Sequence, residues 1–377
     1  MDESFSSAKN KFIVSNNYTE LKSTKLRSEN QVIEFRYLNN KDQFDFESIF
    51  ENVGFSSLIP KPKNILYEGL INGKIVLNKV GDFYTSQSGI IINDFSANGY
   101  LLGDAFVKID NSVLRDKYDL DIKINKNGSN IFNADGSFRI DSEDYPITLN
   151  VSSNNFEIKP FSAIGENVLQ NFEGYFDSKF TVTGSFKEPY FDGYIKAMDS
   201  SFDVPYLGVR YKFPENPSFK LDKMSIKMEN FIIQDVFKNT TGILEGSINH
   251  NRLKDWFLDF KIDSDNLLAI NTTVDDNDIY FGLGMFNGNA VFYGPGKNLD
   301  INITGSTNKD TKITIPIKYD DGVGSLSYLK FSSNDNTINI SDANQGLEVF
   351  INLNVNNNAE LDIIFDEYSG SKLSGRG

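Results

Sequence analysis

Apolar and polar residues alternate with a period of two along most of the chain, the pattern of strands with one packed face and one wet face. Ile71, Gly73, Ile75 and Leu77 alternate with Asn72, Lys74, Val76 and Asn78, and Leu120, Ile122 and Ile124 alternate with Asp119, Asp121 and Lys123. Phe176, Ser178, Phe180 and Val182 oppose Asp177, Lys179, Thr181 and Thr183, while Trp256, Leu258, Phe260 and Ile262 oppose Phe257, Asp259, Lys261 and Asp263. The period returns at Leu299, Ile301 and Ile303, at Ile313, Ile315 and Ile317, at Leu347, Val349, Ile351, Leu353 and Val355, and at Leu361 and Ile363.

Pairs of Asn or Asp with Gly punctuate these runs: Asn72-Gly73, Asn98-Gly99, Asn127-Gly128, Asp135-Gly136, Asp192-Gly193, Asn287-Gly288 and Asp321-Gly322. Several are candidates for two-residue hairpin turns, so antiparallel neighbours are expected. Helical spacing is confined to 43–52 and 161–172, which are expected to form short plugs or crossovers. Strand centres recur every roughly 10 to 13 residues, the spacing of sandwiches, barrels or long meanders. A sheet of about 25 to 30 strands must curl, split or close, and laid out flat it would run on the order of 120 to 140 Å. Periodicity alone leaves two solutions, a pair of closed sandwiches, which is the commoner, or one elongated curled sheet with a continuous apolar inside.

Composition supports strands and removes most chemistry. Thirty-two Phe and 17 Tyr among 377 residues fit pleated, half-buried surfaces. The 37 Lys plus Arg against 52 Asp plus Glu leave a net charge of −15, the wrong sign for neutralising phosphates, so no nucleic-acid partner is expected. The chain has no Cys, which removes disulfides, thiolate nucleophiles and Cys-ligated metals, and one His, which removes most metal and acid–base designs. No apolar run reaches the length of a membrane-spanning helix, and the start, MDESFSSAKN, lacks the basic flank and apolar stretch of a signal peptide.

The remaining motifs read most simply as structure. His250, in Asn249-His250-Asn251-Arg252, is expected to be a turn or surface residue, because no Gly-x-Ser-x-Gly elbow supplies a nucleophile for it. Gly294-Pro295-Gly296-Lys297-Asn298 lacks the leading Gly and the closing Ser or Thr of a phosphate loop and is expected to be a turn. Asp275, Asp276 and Asp278, and Asp320 with Asp321, lack the spacing of a calcium loop and are expected to be solvated turns. Nothing singles out a carboxylate pair for glycoside hydrolysis. Cofactors and metals are not expected, and neither is enzymatic activity.

From Gly69 onward, and most specifically from Gly174, the order of features resembles the C-terminal part of TamB-type proteins of the AsmA-like superfamily, in the form common in Bacteroidota. One stretch runs Phe180-Thr181-Val182-Thr183-Gly184 through Pro189 to Asp192-Gly193 and on to Phe202-Asp203-Val204-Pro205-Tyr206-Leu207-Gly208. A second runs Gly242-Ile243-Leu244-Glu245-Gly246-Ser247-Ile248-Asn249-His250 into Trp256 and Asn266-Leu267-Leu268. A third joins 281–288, Gly294-Pro295, Asn298-Leu299 and 313–317 to a terminal Phe365-Asp366 and Gly375-Arg376-Gly377. Family members normally continue past such an end and begin with a membrane anchor, so the chain is expected to be a piece of a longer protein. Three segments are expected: 1–65, matching only loosely; 66–173, a groove segment; and 174–377, the TamB-like part.

The resemblance implies an all-β fold, an elongated, curled, mostly antiparallel sheet (a β-taco) with one or two short helices and an apolar groove inside. It implies a periplasmic protein, anchored to the inner membrane through a segment absent from this chain, that carries phospholipid towards the outer membrane. The expected partners are phospholipid acyl chains and an outer-membrane barrel assembly protein of the Omp85 type. On that basis the open groove is placed ahead of the sandwich. Its walls are expected to be Phe176, Phe180, Val182, Trp256, Leu258, Phe260, Ile262, Leu299, Ile301, Ile303, Ile313, Ile315, Ile317, Leu347, Val349, Ile351 and Leu353. Two other readings stay open: a barrel-assembly factor without lipid transport, whose sheet edge templates strands, and a carbohydrate-active all-β enzyme.

Overall fold

The structure is a computed structural model that describes residues 6–7, 12–41, 43–58, 65–80, 83–111, 117–139, 146–165, 169–276, 280–295, 298–316, 347–357, 359–366 and 371–376. Among the described residues the chain is all-β and mostly antiparallel. The strands are β1 (Ser6–Ser7), β2 (Phe12–Ser15), β3 (Tyr18–Ser28), β4 (Gln31–Asn40), β5 (Phe44–Gly54), β6 (Tyr67–Val80), β7 (Phe83–Ala97), β8 (Tyr100–Asn111), β9 (Lys117–Lys126), β10 (Ser129–Arg139), β11 (Ile147–Glu157) and β12 (Gln170–Gly184). They continue with β13 (Pro189–Val204), β14 (Val209–Lys212), β15 (Ser218–Lys223), β16 (Ser225–Asp235), β17 (Thr241–Asn251), β18 (Lys254–Thr272), β19 (Phe281–Pro295) and β20 (Leu299–Thr307). The last are β21 (Lys312–Pro316), β22 (Leu347–Asn354), β23 (Glu360–Asp366) and β24 (Ser371–Arg376). Helix is limited to α1 (Phe55–Leu58) and two 3-10 turns, Lys159–Gly165 and Pro205–Leu207. None of these is long and apolar enough to cross a membrane.

The chain divides into two units. The first comprises 1–202, 215–227 and 251–253, and the second comprises 203–214, 228–250 and 254–377. In the first, β3 to β12 form an antiparallel meander in which each strand pairs with the next. Because paired residues share a face, apolar rows run across the strands. One row reads Ile33, Phe50, Gly73, Ile90, Val107, Ile122, Ala134, Val151 and Phe180. In the second unit β18 pairs with β19, and β19 pairs with β20 along one part of its length and with β21 along another. β22 and β23 add parallel to β20 and β21, and β24 closes antiparallel on β23.

Two Asx-Gly pairs form the expected hairpins, with both residues at positive φ: Asn98 (50°) and Gly99 (79°) between β7 and β8, and Asn127 (52°) and Gly128 (80°) between β9 and β10. Four others correct the expectation: Asn72-Gly73, Asp135-Gly136, Asp192-Gly193 and Asn287-Gly288 lie inside β6, β10, β13 and β19. Gly73 shows why. It sits between Phe50 and Ile90 on the apolar face with φ 125°, and a Cβ there would stand 2.3 Å from the Gly89 carbonyl oxygen. A missing side chain between two large ones lets the flanking strands close towards the apolar side. Asp321-Gly322 lies outside the described residues.

Both helical expectations also change. Residues 44–52 are strand, because Phe44, Phe46, Ser48 and Phe50 alternate on one face of β5 and the sheet pairs both its edges. Among the described residues of 161–172 the turn ending at Gly165 is the helical part, and β12 begins at Gln170. This turn and α1 reach the apolar face at one rim of the first unit. Phe55 packs against Tyr67 and Phe95, and Phe161 stacks on Phe156 at 6.1 Å between centroids. Beneath them Val53, Ile71, Ile92, Ala105, Ile124 and Phe156 form a core cluster of buried side chains.

At the same end of β5, β7, β11 and β13 a device unseen in the sequence recurs. Asn52, Asp94, Asn155 and Asp199 adopt positive φ of 47–53°, and the first three fall where the pairing register slips. The backbone N–H of each donates to a side-chain oxygen of a later residue: Asn72 (2.9 Å), Asp104 (3.0 Å), Asp177 (2.7 Å) and Asn216 (2.8 Å), respectively. An extra residue that bends and twists its strand is held in place each time by one acceptor.

Candidate functional site

The second unit gathers the expected wall residues on one face. Register sets Phe260 beside Phe292, Phe292 beside Ile301 and Ile301 beside Val349, and the next row runs Ile262, Ala290, Ile303, Ile351. Leu258 pairs with Gly294, Leu299 with Leu347, and Gly305 with Leu353. Ile313 pairs with Gly282 and Leu361, and Ile315 with Ile363. Ile317 lies outside the described residues. The Phe260 and Phe292 rings stack at 4.6 Å.

Exposure along this face is graded, with Phe286 and Ala290 buried. Leu258, Phe260, Ile262, Leu299, Ile301, Ile303, Ile313 and Ile315 are all half-buried, so each keeps contact with solvent after folding. In the first unit Phe176 and Phe180 are half-buried and Val182 is buried. Phe176 lies 5.0 Å from Phe156 and Phe180 lies 6.1 Å from Phe191, ring centre to ring centre. Trp256 is exposed, at 40%.

The opposite face of β18 and its neighbours is charge-paired along part of its length and carries Phe257 against Tyr293, ring centres 5.0 Å apart, along another. Lys261 bridges Asp263 at 3.0 Å and Glu245 at 3.5 Å. Asn289 donates to Asp263, and this bond, with Lys261 second, holds the Asp263 carboxyl below its ordinary pKa. The sheet therefore has a mixed side of ion pairs and aromatic rings and an apolar side that its own chain only partly covers.

His250 corrects the expectation of a surface residue. It lies on β17, 7% exposed, with its ring edge-on to Trp256 at 5.2 Å, and burial pushes its pKa down. Gly294 and Pro295 end β19, and the Asn298 N–H donates to the Pro295 carbonyl at 2.8 Å, closing a turn; Gly296 and Lys297 lie outside the described residues. Asp276 accepts the Thr273 N–H at 2.8 Å and its hydroxyl at 2.7 Å, bonds that cap a turn and lower the carboxyl pKa. Asp278, Asp320 and Asp321 lie outside the described residues. Among the described residues no three His, Asp or Glu side chains come together to hold a metal.

Alternation missed two features. Phe286 and Phe292 escaped because β19 carries Gly282, Gly284, Gly288 and Gly294 on the same face, and glycine interrupts the hydropathy signal where the sheet most needs a small residue. The second is the loop after β16. Asp235, fully buried, accepts from the Lys238 N–H (2.6 Å), the Thr240 N–H (2.7 Å) and the Thr240 hydroxyl. Nearby, Tyr211 donates to the Leu268 carbonyl at 2.8 Å, and burial first, the Asp235 charge second, raises its pKa. Val236 and Phe237 are left exposed at the loop tip.

Residues 229–377 match the family model of the TamB C-terminal domain. No curated protein and no solved structure matches the chain.

Proposed function

We propose that this chain, which carries a TamB C-terminal domain in its last part, is a hydrocarbon-binding scaffold whose apolar face carries phospholipid through the periplasm from the inner towards the outer membrane. The supporting observation is the row of half-buried apolar side chains of β18 to β20, with the Lys261–Asp263 ion pair on the reverse face. Apolar surface left partly in water is costly unless something covers it, and an acyl chain is a suitable cover. A sixteen-carbon chain gains about 13 kcal/mol on leaving water, at about 0.8 kcal/mol per methylene. A wall without charges offers that gain at every step, so a chain can slide without falling into a deep polar trap. The TamB family is one of structural transport and assembly proteins, not of enzymes, and an outer-membrane barrel protein of the assembly type is the partner proposed at the far end.

Site-specific photo-crosslinking in the full-length protein tests this. A photoreactive residue at Phe260 or Ile301 is expected to capture phospholipid, and one at Asp259, on the reverse face, is not. Equal lipid labelling at all three positions would remove the groove assignment. Capture of nascent barrel proteins instead of lipid would favour the assembly reading.

A further inference from the structure

Unlike the open face of β18 to β20, the apolar face of the first unit is filled at one rim by the chain's own side chains. Phe161, from the Lys159–Gly165 turn, stacks on Phe156, which lies 5.8 Å from Phe132 and 5.0 Å from Phe176. Phe55, from α1, takes the neighbouring position against Tyr67 and Phe95. The two segments come from different connections between strands, and Asn98 bonds one residue of each connection, Leu66 ahead of β6 and Pro160 in the turn. Asn98, at the tip of the β7–β8 hairpin, donates its backbone N–H to the Leu66 carbonyl and accepts the Leu66 N–H on its side-chain oxygen, each at 2.8 Å. Its side-chain nitrogen donates to the Pro160 carbonyl at 2.7 Å. Lys159 lies over the Tyr100 ring at 5.4 Å, fixing the same turn from outside.

We propose that the first unit holds a second acyl-chain site, occupied in this conformation by a stopper built from the Lys159–Gly165 turn and α1, with Asn98 as the latch of the turn. This rests on the hydrocarbon-binding reading above. The ligand class is a single fatty acyl chain, because Phe161 supplies to Phe156 and its neighbours the apolar contact that a hydrocarbon tail would supply. The turn is held by two side-chain bonds, Asn98 to the Pro160 carbonyl and the Phe172 N–H to the Ser162 hydroxyl at 3.1 Å, so it can lift without unpairing any strand, and the face beneath would then bind a tail.

The test uses the full chain with phosphatidylethanolamine vesicles. Benzoylphenylalanine replaces Phe132, beneath the stopper, or Phe260, on the open face, and lipid label is measured in the parent, in Asn98→Ala and in Phe161→Ala. The expected result is a several-fold rise of label at 132 in both variants, with label at 260 unchanged. Phe161→Ala keeps every backbone hydrogen bond of the turn and carries the test alone if Asn98→Ala does not fold. Faster hydrogen exchange of 159–165 in Asn98→Ala, with label at 132 still at the parent level in both variants, would overturn the site. Unchanged exchange would overturn the latch. A rise at 132 with no label at 260 in any chain would keep the stopper and defeat the open-face reading, and label at 260 with none at 132 would do the reverse.

Discussion

His250 and Trp256 are each the single residue of their type in the chain, and their rings meet edge to face. Burial favours the neutral imidazole, so the folded pKa lies below the ordinary value of about 6.5. The unfolded chain then binds the proton more readily, and the stability present above that value is lost as pH falls through the folded pKa. Between pH 7 and 5, tryptophan emission is expected to change and the urea midpoint to drop, and His250→Gln is expected to remove the emission change. Identical titrations for the parent and His250→Gln would contradict this. At this scale the sequence pointed to the wrong environment, since polar neighbours at Asn249, Asn251 and Arg252 say nothing about what packs from the next strand. Gly73 was misread for a similar reason. A dipeptide that makes a hairpin in isolation makes a bend within a strand when both edges of that strand are already paired.

At the scale of elements, alternation located the cores of β6, β9, β12, β18, β20, β21, β22 and β23, because a period of two follows from the pleat and needs no tertiary information. It could not locate the slips. Asn52, Asp94 and Asn155 add one residue each to their strands, and what fixes that residue is an oxygen contributed 10 to 22 positions later by Asn72, Asp104 or Asp177. Asp177→Ala removes the acceptor of the Asn155 N–H and is expected to cost about 1 kcal/mol in urea unfolding, with faster exchange of that amide. An unaltered midpoint and exchange rate would mean that the bulge holds without its acceptor. In 44–52 Phe44, Phe46 and Phe50 alternate with Asp45, Glu47 and Glu51, but a stretch this short also fits a few helical turns, and pairing with β4 and β6 decides for the strand.

At the scale of the molecule, the question is what an exposed apolar face is for. A glutamate at Ile301 would place a charge in the middle of the row that joins Phe260, Phe292 and Val349. Mass spectrometry of small molecules extracted from the purified protein is expected to recover phospholipid from the parent and much less from Ile301→Glu. Asp300→Lys, on the reverse face, should match the parent. Equal recovery from all three would place the bound lipid elsewhere. The choice between closed sandwich and open trough could not be made from alternation, since a protein side chain and an acyl chain ask for the same apolar surface.

The amino-acid sequence determined the strand class, the two-faced character of β18, β20 and β21, and the absence of thiol chemistry, because these follow from composition and from a local period. Tertiary structure decided which rows join across strands, that Phe292 completes the wall, and that Asn98 bonds one residue of each of two strand connections at one rim. Those depend on register and on residues distant in the chain, and a shift of one residue in pairing would turn every side chain to the opposite face without altering a letter of the sequence.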